Sequence, residues 1–517
     1  MQERLVPTGS GAPTVYAGEQ ALHSRYNPRL EAEKYINTLK FRENIRFLIL
    51  IEPGMGYMVP VLRKNNPLAK IITLHISDFF VTPEAGGDRT LEADAVWAPG
   101  KGIPVQRFLE QEIPDIEARF IGLIEWRPSL TAYGEAYLRL LSGTTDFIKR
   151  VDANARTVKG FGQRWFKNVF KNLKLFQQVL EPVPSSIPIA VTGAGPSLEE
   201  TIPLIREWKQ REALGILAAA SSVEALDAGG ILPDLIISTD GGGWAAAHLR
   251  GALRKNPPAL TVTLNASLPS QCGELPILVL SDGSVWQNLI LKSMAIPFVP
   301  LAPRGTVTAS ALELALALTQ GEIFITGTDL SHRDLRTHAR PYSFNRFLEL
   351  GSSRFHPFYS ETFVRAGAIA DSGNHGIYAA WFGQQLETYP KRLHTLGNNN
   401  PVFNSLLDTE KPGLSGFGKN IPAAKERIPS GGGIINNFAL MNRGSNRSAR
   451  IIKPSFSAEH ALEALLQALS DPGFAPIITG ELSPLLLAEE KEPSPQALKK
   501  VVRSLAGPYF SEGLRNG

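Results

Sequence analysis

The chain has 517 residues, of which 43% are hydrophobic and 20% charged, and its net charge is +4. This length exceeds one ordinary hydrophobic core, so two or three domains are expected, and the composition excludes a disordered chain. The small charge, with no local block of like sign, argues against a nucleic-acid partner. The single cysteine, Cys272, cannot form an internal disulfide. No Cys/His cluster has zinc spacing, so Cys272 reads as a buried inert thiol and no metal site is expected. Met1–Gly18 lacks the basic start and apolar run of a secretory leader, and no stretch approaches the roughly 20 apolar residues of a membrane helix. A soluble protein of the cytoplasm, without a membrane span, is the expectation.

In chain order, residues 1–45 begin with a loose arm and then a helical stretch near Arg29–Lys40. Phe47–Ile51, Ile71–Ile76 and Phe120–Ile124 read as buried strands, with Gly54-Met-Gly56 and a helical Tyr57–Lys64 after the first. Strands alternating with helices predict a mainly parallel sheet, and this gives a first α/β domain over 1–145. From Thr145 to Leu180 apolar residues recur at helical spacing, until Glu181-Pro-Val-Pro-Ser-Ser186 stops the pattern. Residues 146–186 are therefore a helical connector and linker.

Beyond the linker, strands are expected at Ile187–Val191, Leu214–Ala220, Asp234–Ser238, Leu260–Leu264, Ile277–Leu280 and Ile323–Thr326. Helices are expected near Leu198–Lys209, Ser222–Ala228 and Val307–Leu318. This is a doubly wound pattern, whose ligands lie at the carboxyl ends of the strands. It forms a central domain over 187–404. Residues 405–517 contain Gly431-Gly-Gly433 and helical stretches near Ala458–Leu469 and Pro495–Leu505, and read as a small C-terminal helical domain.

Four segments carry candidate chemistry. In Gly193-Ala-Gly-Pro-Ser-Leu198, Gly193 and Gly195 would let the backbone approach a phosphate. Pro196 and Ser197 suit the first turn of a helix whose free amides attract an anion. The plain alternative is an ordinary strand-to-helix turn. In Pro233–Gly241 a strand ends at Asp240, which suits a ribose, a base, a metal or simply an Asx turn. Arg304 and Thr306, just before the Ala/Leu helix, suit a second phosphate contact. Gly327-Thr-Asp329-Leu-Ser-His332 closes a strand, and His338 follows nine residues after Asp329. Both histidines are candidate general bases because of where they lie.

In this order and spacing the four segments resemble the Maf (motility-associated factor) flagellin glycosyltransferases. They also resemble the 6-hydroxymethylpterin diphosphokinase MptE-like family and, more distantly, sialyltransferases that use CMP-activated sugar acids. The match covers about residues 187–404, with Tyr378–Phe403 as the closing helix and strand. Gly54-Met-Gly-Tyr57 resembles the glycine turn of the Maf N-terminal region. The sialyltransferase loop carries Asn where this chain has Ala194.

The resemblance implies a Rossmann-like, sialyltransferase-like centre flanked by the smaller N-terminal α/β and C-terminal helical domains. It implies transfer of a nonulosonic (sialic-acid-like) sugar from a CMP donor to Ser or Thr hydroxyls of flagellin. No cofactor is needed beyond that nucleotide-sugar substrate, and a need for Mg²⁺ stays open. His338, Arg304 and Asp329 would be catalytic. Gly193, Gly195, Pro196, Ser197, Asp240 and Thr306 would bind the nucleotide. Pyrophosphoryl transfer to a pterin ranks lower, because the glycine loop has no lysine and the acids are scattered. A methyltransferase, suggested by Glu52-Pro-Gly-Met-Gly56, and a non-enzymatic flagellar assembly factor complete the alternatives.

Overall fold

The computed structural model describes residues 2–41, 45–82, 92–113, 120–211, 214–331, 333, 335–360, 362–364, 374–397, 451–454, 457–487 and 493–510. The chain is mixed α/β and divides into two compact units, Met1–Gly160 and Phe161–Gly517. The expected first boundary, near residue 145, falls inside a helix rather than at its end. His332, Gly431–Gly433 and the end of the expected closing strand lie outside the described residues.

In the first unit, β1 (Glu3–Val6), β2 (Thr14–Ala17) and β3 (Gln20–Ala21) form an antiparallel meander where a loose arm was expected. The reason is burial. Val15, Ala17 and Leu22 enter the core of this unit, and Trp126 Nε1 donates to the Leu22 carbonyl. Next come α1 (Pro28–Thr38), β4 (Phe47–Ile51), α2 (Met58–Asn65), β5 (Lys70–Leu74), β6 (Ala95–Trp97), α3 (Val105–Glu112), β7 (Ile121–Glu125), α4 (Arg127–Tyr133) and α5 (Glu135–Leu173). The four later strands are parallel in the order β6-β5-β4-β7. All five β4 side chains are buried, as an unbroken Phe-Leu-Ile-Leu-Ile run with helices on both faces requires.

The second unit begins inside α5. That helix stops at Leu173, where the apolar spacing had suggested a helix as far as Leu180. Instead β8 (Val179–Leu180) joins the sheet, a strand too short to leave a periodicity. The sheet is built from β9 (Ile189–Thr192), β10 (Gly215–Ala219), β11 (Leu235–Ser238), β12 (Leu260–Thr263), β13 (Ile277–Ser281), β14 (Phe298–Pro300), β15 (Ile323–Thr326), β16 (Leu393–Thr395) and β17 (Ile451–Ile452). Its order is β16-β15-β9-β10-β11-β12-β13-β8-β17, with β14 also on β13, and all pairs are parallel except β17 on β8.

Side-chain alternation explains the layers. Ala190, Ile216, Ala218, Ile236, Leu260 and Val279 face one core, shared with α6 (Leu198–Gln210), α7 (Val223–Ala228), α8 (Gly243–Leu253) and α9 (Val285–Ser293). Val191, Leu217, Ile237 and Leu278 face the other, under α10 (Val307–Leu318). Each Val, Leu or Ile among them contributes about 1.5–3 kcal/mol when fully buried. The C-terminal helices Ala458–Ala468, Ala475–Leu486 and Pro495–Ala506 share the first of these cores, so in the structure they are continuous with the sheet. Glu481 accepts from Val285 N and Trp286 N and so caps α9.

Strand order also locates the site. From β9 the chain steps outward through β10, β11, β12 and β13, then α10 carries it back to β15 on the other side of β9. The reversal between β9 and β15 is the topological switch point of this sheet, and ligands of open α/β sheets bind outside the strand ends there.

Candidate functional site

The loops after β9 and β15 lie against each other at the switch point. Gly193 N donates to Thr326 O, and Gly195 N donates to Gly327 O at 2.7 Å. Gly327 has φ +64°, a left-handed conformation that favours glycine. A Cβ on Gly195 would sit 1.9 Å from Asp329 Oδ2, so only glycine fits. Asp329 is 5% exposed. Its Oδ2 accepts from Ser197 N at 3.1 Å and Ser197 Oγ at 2.9 Å. Burial raises its carboxyl above the ordinary range, and the Ser197 bonds oppose that shift. Asp329 thus occupies the amino end of α6, where the sequence suggests a phosphate. Leu198 N, Glu199 N and Glu200 N are also bonded within the loop.

The segment after Asp329 is pinned to the first turn of α6. Arg336 makes a two-oxygen pair with Glu199 at 3.0 and 3.1 Å, Arg340 N donates to Glu199, and Arg333 pairs with Glu200. Ala339 N donates to Ala194 O at 2.7 Å. These bonds hold His338 at the switch-point edge. Its Nδ1 lies 2.8 Å from Thr337 Oγ1, and its ring stacks on Tyr342 with centroids 4.0 Å apart.

Tyr342 in turn meets His248 of α8, whose Nδ1 lies 2.6 Å from Ser343 Oγ. Burial lowers the His248 pKa to about 4, against the opposing field of Asp240. Asp240 is exposed beyond β11, and its Oδ1 accepts from Gly242 N at 2.7 Å in an Asx turn. Gly193, Gly195, Ser197, Asp329 and His338 therefore lie together on this edge, and Asp240 lies on the same edge two strands away, where its charge acts on His248.

Thr306 caps α10, accepting from Ala309 N at 3.1 Å. The first turn of α10 reaches the glycine loop, for a Cβ on Gly193 would lie 3.0 Å from Thr308 Oγ1. Arg304 is held by Glu313 through two bonds of 2.9 Å and lies over Trp381. Its Nε and Nη2 edge is thus engaged by a carboxylate of its own chain. Pro196 is buried in the loop. Asp234 is structural: it pairs with Lys209 and accepts from Ile216 N. Cys272 is buried, and burial pushes its thiol up to about 12. Among the described residues there is no cluster of three His, Cys, Asp or Glu side chains able to hold a metal, and no helix long and apolar enough to cross a membrane.

His248, Tyr342, Glu199, Glu200 and Glu313 were missed by sequence reasoning. His248 alone left a signal, standing four residues after Trp244 on the helix that follows Asp240-Gly-Gly-Gly243.

The fold and edge define a doubly wound α/β protein with its candidate site at the switch point. Residues 163–334 match the family model described as "6-hydroxymethylpterin diphosphokinase MptE-like", so the chain carries an MptE-like domain. Two proteins of Treponema pallidum (strain Nichols), each called "Uncharacterized protein", are similar. One is 29% identical over 282 residues, covering 53% of this chain and 59% of the relative. The other is 31% identical over 100 residues, covering 19% and 47%. The chain thus spans about half the length of these curated relatives. The solved MAf glycosyltransferase from Magnetospirillum magneticum AMB-1 is similar at 12% identity and a TM-score of 0.47, covering 99% of this chain and 87% of that one.

Proposed function

We propose that the protein is a glycosyltransferase that moves a nonulosonic sugar from a CMP donor to Ser or Thr hydroxyls of flagellin in the cytoplasm. The observation that supports this reading is that His338, Asp240 and the α10 amino end all stand beside strand ends on one edge of an MptE-like domain. The acceptor hydroxyl needs a base, and His338, oriented by Thr337 Oγ1 and the Tyr342 ring, supplies it. The departing CMP phosphate needs donors and positive potential. The amino end of α10 at Thr306–Thr308 offers both beside Gly193, whereas the Ser197 amide is taken by Asp329. Asp329 and Ser197 are positioning residues that lock the two loops together. Arg304 is a positioning residue as well, fixing the start of α10 through Glu313.

His338→Ala should slow sugar transfer by roughly 100- to 10,000-fold while CMP binding persists. Mass spectrometry of flagellin reads the transfer, with His332→Ala in parallel. Normal transfer by His338→Ala removes this histidine from the mechanism. A second reading, pyrophosphoryl transfer from ATP to a hydroxymethylpterin, draws on the family description. Phosphate release and product analysis with ATP, Mg²⁺ and the pterin test it directly.

A further inference from the structure

Trp244 is a large aromatic side chain left 61% exposed, four residues after Asp240. It is nevertheless fixed: Phe344 and Phe347 meet its ring near edge-on at centroid distances of 5.2 and 5.4 Å. The loop that presents it is also rigidly seated. Gly241 packs where a Cβ would lie 2.2 Å from Trp165, Gly241 O accepts from Asn168, and Ser267 N donates to Asp240 O. Gly243, between the acid and the indole, has open space where a side chain would be. The Asx turn uses Asp240 Oδ1, which fixes the carboxylate, and among the described residues Oδ2 accepts no hydrogen bond. An immobilised, open indole beside an oriented exposed carboxylate matches what a nucleoside presents: a planar base and a ribose with hydroxyl donors.

We propose that Trp244 and Asp240 form the nucleoside end of the site, with the base on the indole face and the ribose hydroxyls donating to Asp240. This rests on the nucleotide-sugar reading above and deepens it. β9 and β11 are two strands apart, so Asp240 lies about 10 Å along the edge from the glycine loop. A nucleotide laid along the edge then carries its phosphate toward Gly193 and the α10 amino end. Stacking is tolerant of base identity, so Trp244 supplies affinity and Asp240 supplies preference for ribose.

The test is calorimetric titration of the full chain with CMP and with 2′,3′-dideoxyCMP. Trp244→Ala should weaken CMP binding roughly 5- to 150-fold, and Trp244→Phe, which keeps an aromatic face, should retain most of it. Asp240→Asn should bring CMP and the dideoxy analogue closer in affinity. Circular dichroism of each variant checks the fold. If wild type binds CMP and Trp244→Ala binds it equally well, the proposal falls and the nucleotide reading stands; the indole then serves another partner, such as a docked protein. If wild type does not bind CMP, the nucleotide-sugar reading itself falls and takes this inference with it.

Discussion

Gly195→Ala tests the role assigned to the glycine loop. The added Cβ would lie 1.9 Å from Asp329 Oδ2 and 2.9 Å from Gly327 O, so the carboxylate must leave its place. Leaving breaks the bonds from Ser197 N and Ser197 Oγ, both to a buried acceptor. Hydrogen bonds to charged groups contribute about 1.5–3 kcal/mol each, so the loss should be about 3–6 kcal/mol. Urea unfolding of the full chain, followed by a probe of the second unit, measures it. Ser197→Ala removes only the hydroxyl bond and should cost about half as much. Gly195→Ala combined with Asp329→Ala should cost less than the sum of the two, because the colliding carboxylate is gone. An unchanged midpoint for Gly195→Ala, or strict additivity in the double variant, would falsify the close approach of Asp329.

His248→Gln should flatten the acid side of the stability profile. The folded pKa of about 4 lies below the ordinary value of 6.5, so the unfolded chain binds more protons between them. Stability attributable to His248 is therefore complete above pH 6.5 and is lost as pH falls toward 4, which denaturation at stepped pH reads out. Asp282→Asn should act in the opposite sense. Burial raises the Asp282 carboxyl, so stability falls as pH climbs from the ordinary carboxylate range to the raised value, and the amide removes that slope. Glu481→Ala, which uncaps α9, should lower stability by about 1–3 kcal/mol and loosen amide-exchange protection at Val285 and Trp286. Gly54→Ala should destabilise the first unit, since its Cβ would meet His23 Nε2 at 2.5 Å; equal exchange protection in β4 would speak against this.

Three strands of the central sheet were legible because each is a mainly apolar run closed within two residues by Gly or Asp. Ile189–Thr192, Leu235–Ser238 and Ile323–Thr326 fall within two residues of their expected places. β14 and β8 were not legible, being three and two residues long. At the candidate site, Asp240 and His338 were named because they follow strands, and the sheet gathers strand ends at one edge. The residues that hold them lie far away in sequence. Glu199 positions Arg336 across 137 residues, and Ser343 meets His248 across 95. Such pairs have no periodicity, and only the return of α10 to β15 brings them together.

The two glycine loops share a physical logic that spacing alone does not reveal. In the first unit the chain steps from β4 to β5 and β6, then reverses to β7, so the loop Glu52–Gly56 lies at that sheet's own switch point. There Met55 N donates to His23 Nε2 at 3.0 Å, and Gly54 is glycine because that imidazole lies against it. In the second unit Ser197 N donates to Asp329, and Gly195 is glycine because that carboxylate lies against it. Each loop opens its backbone to a polar side chain from its own unit. A phosphate would have to displace that side chain and replace its bonds, a cost that a nearby donor set avoids. Under the proposed function, recognition at the second unit's edge therefore falls to groups outside the glycine loop: Asp240, Trp244, His338 and the amino end of α10.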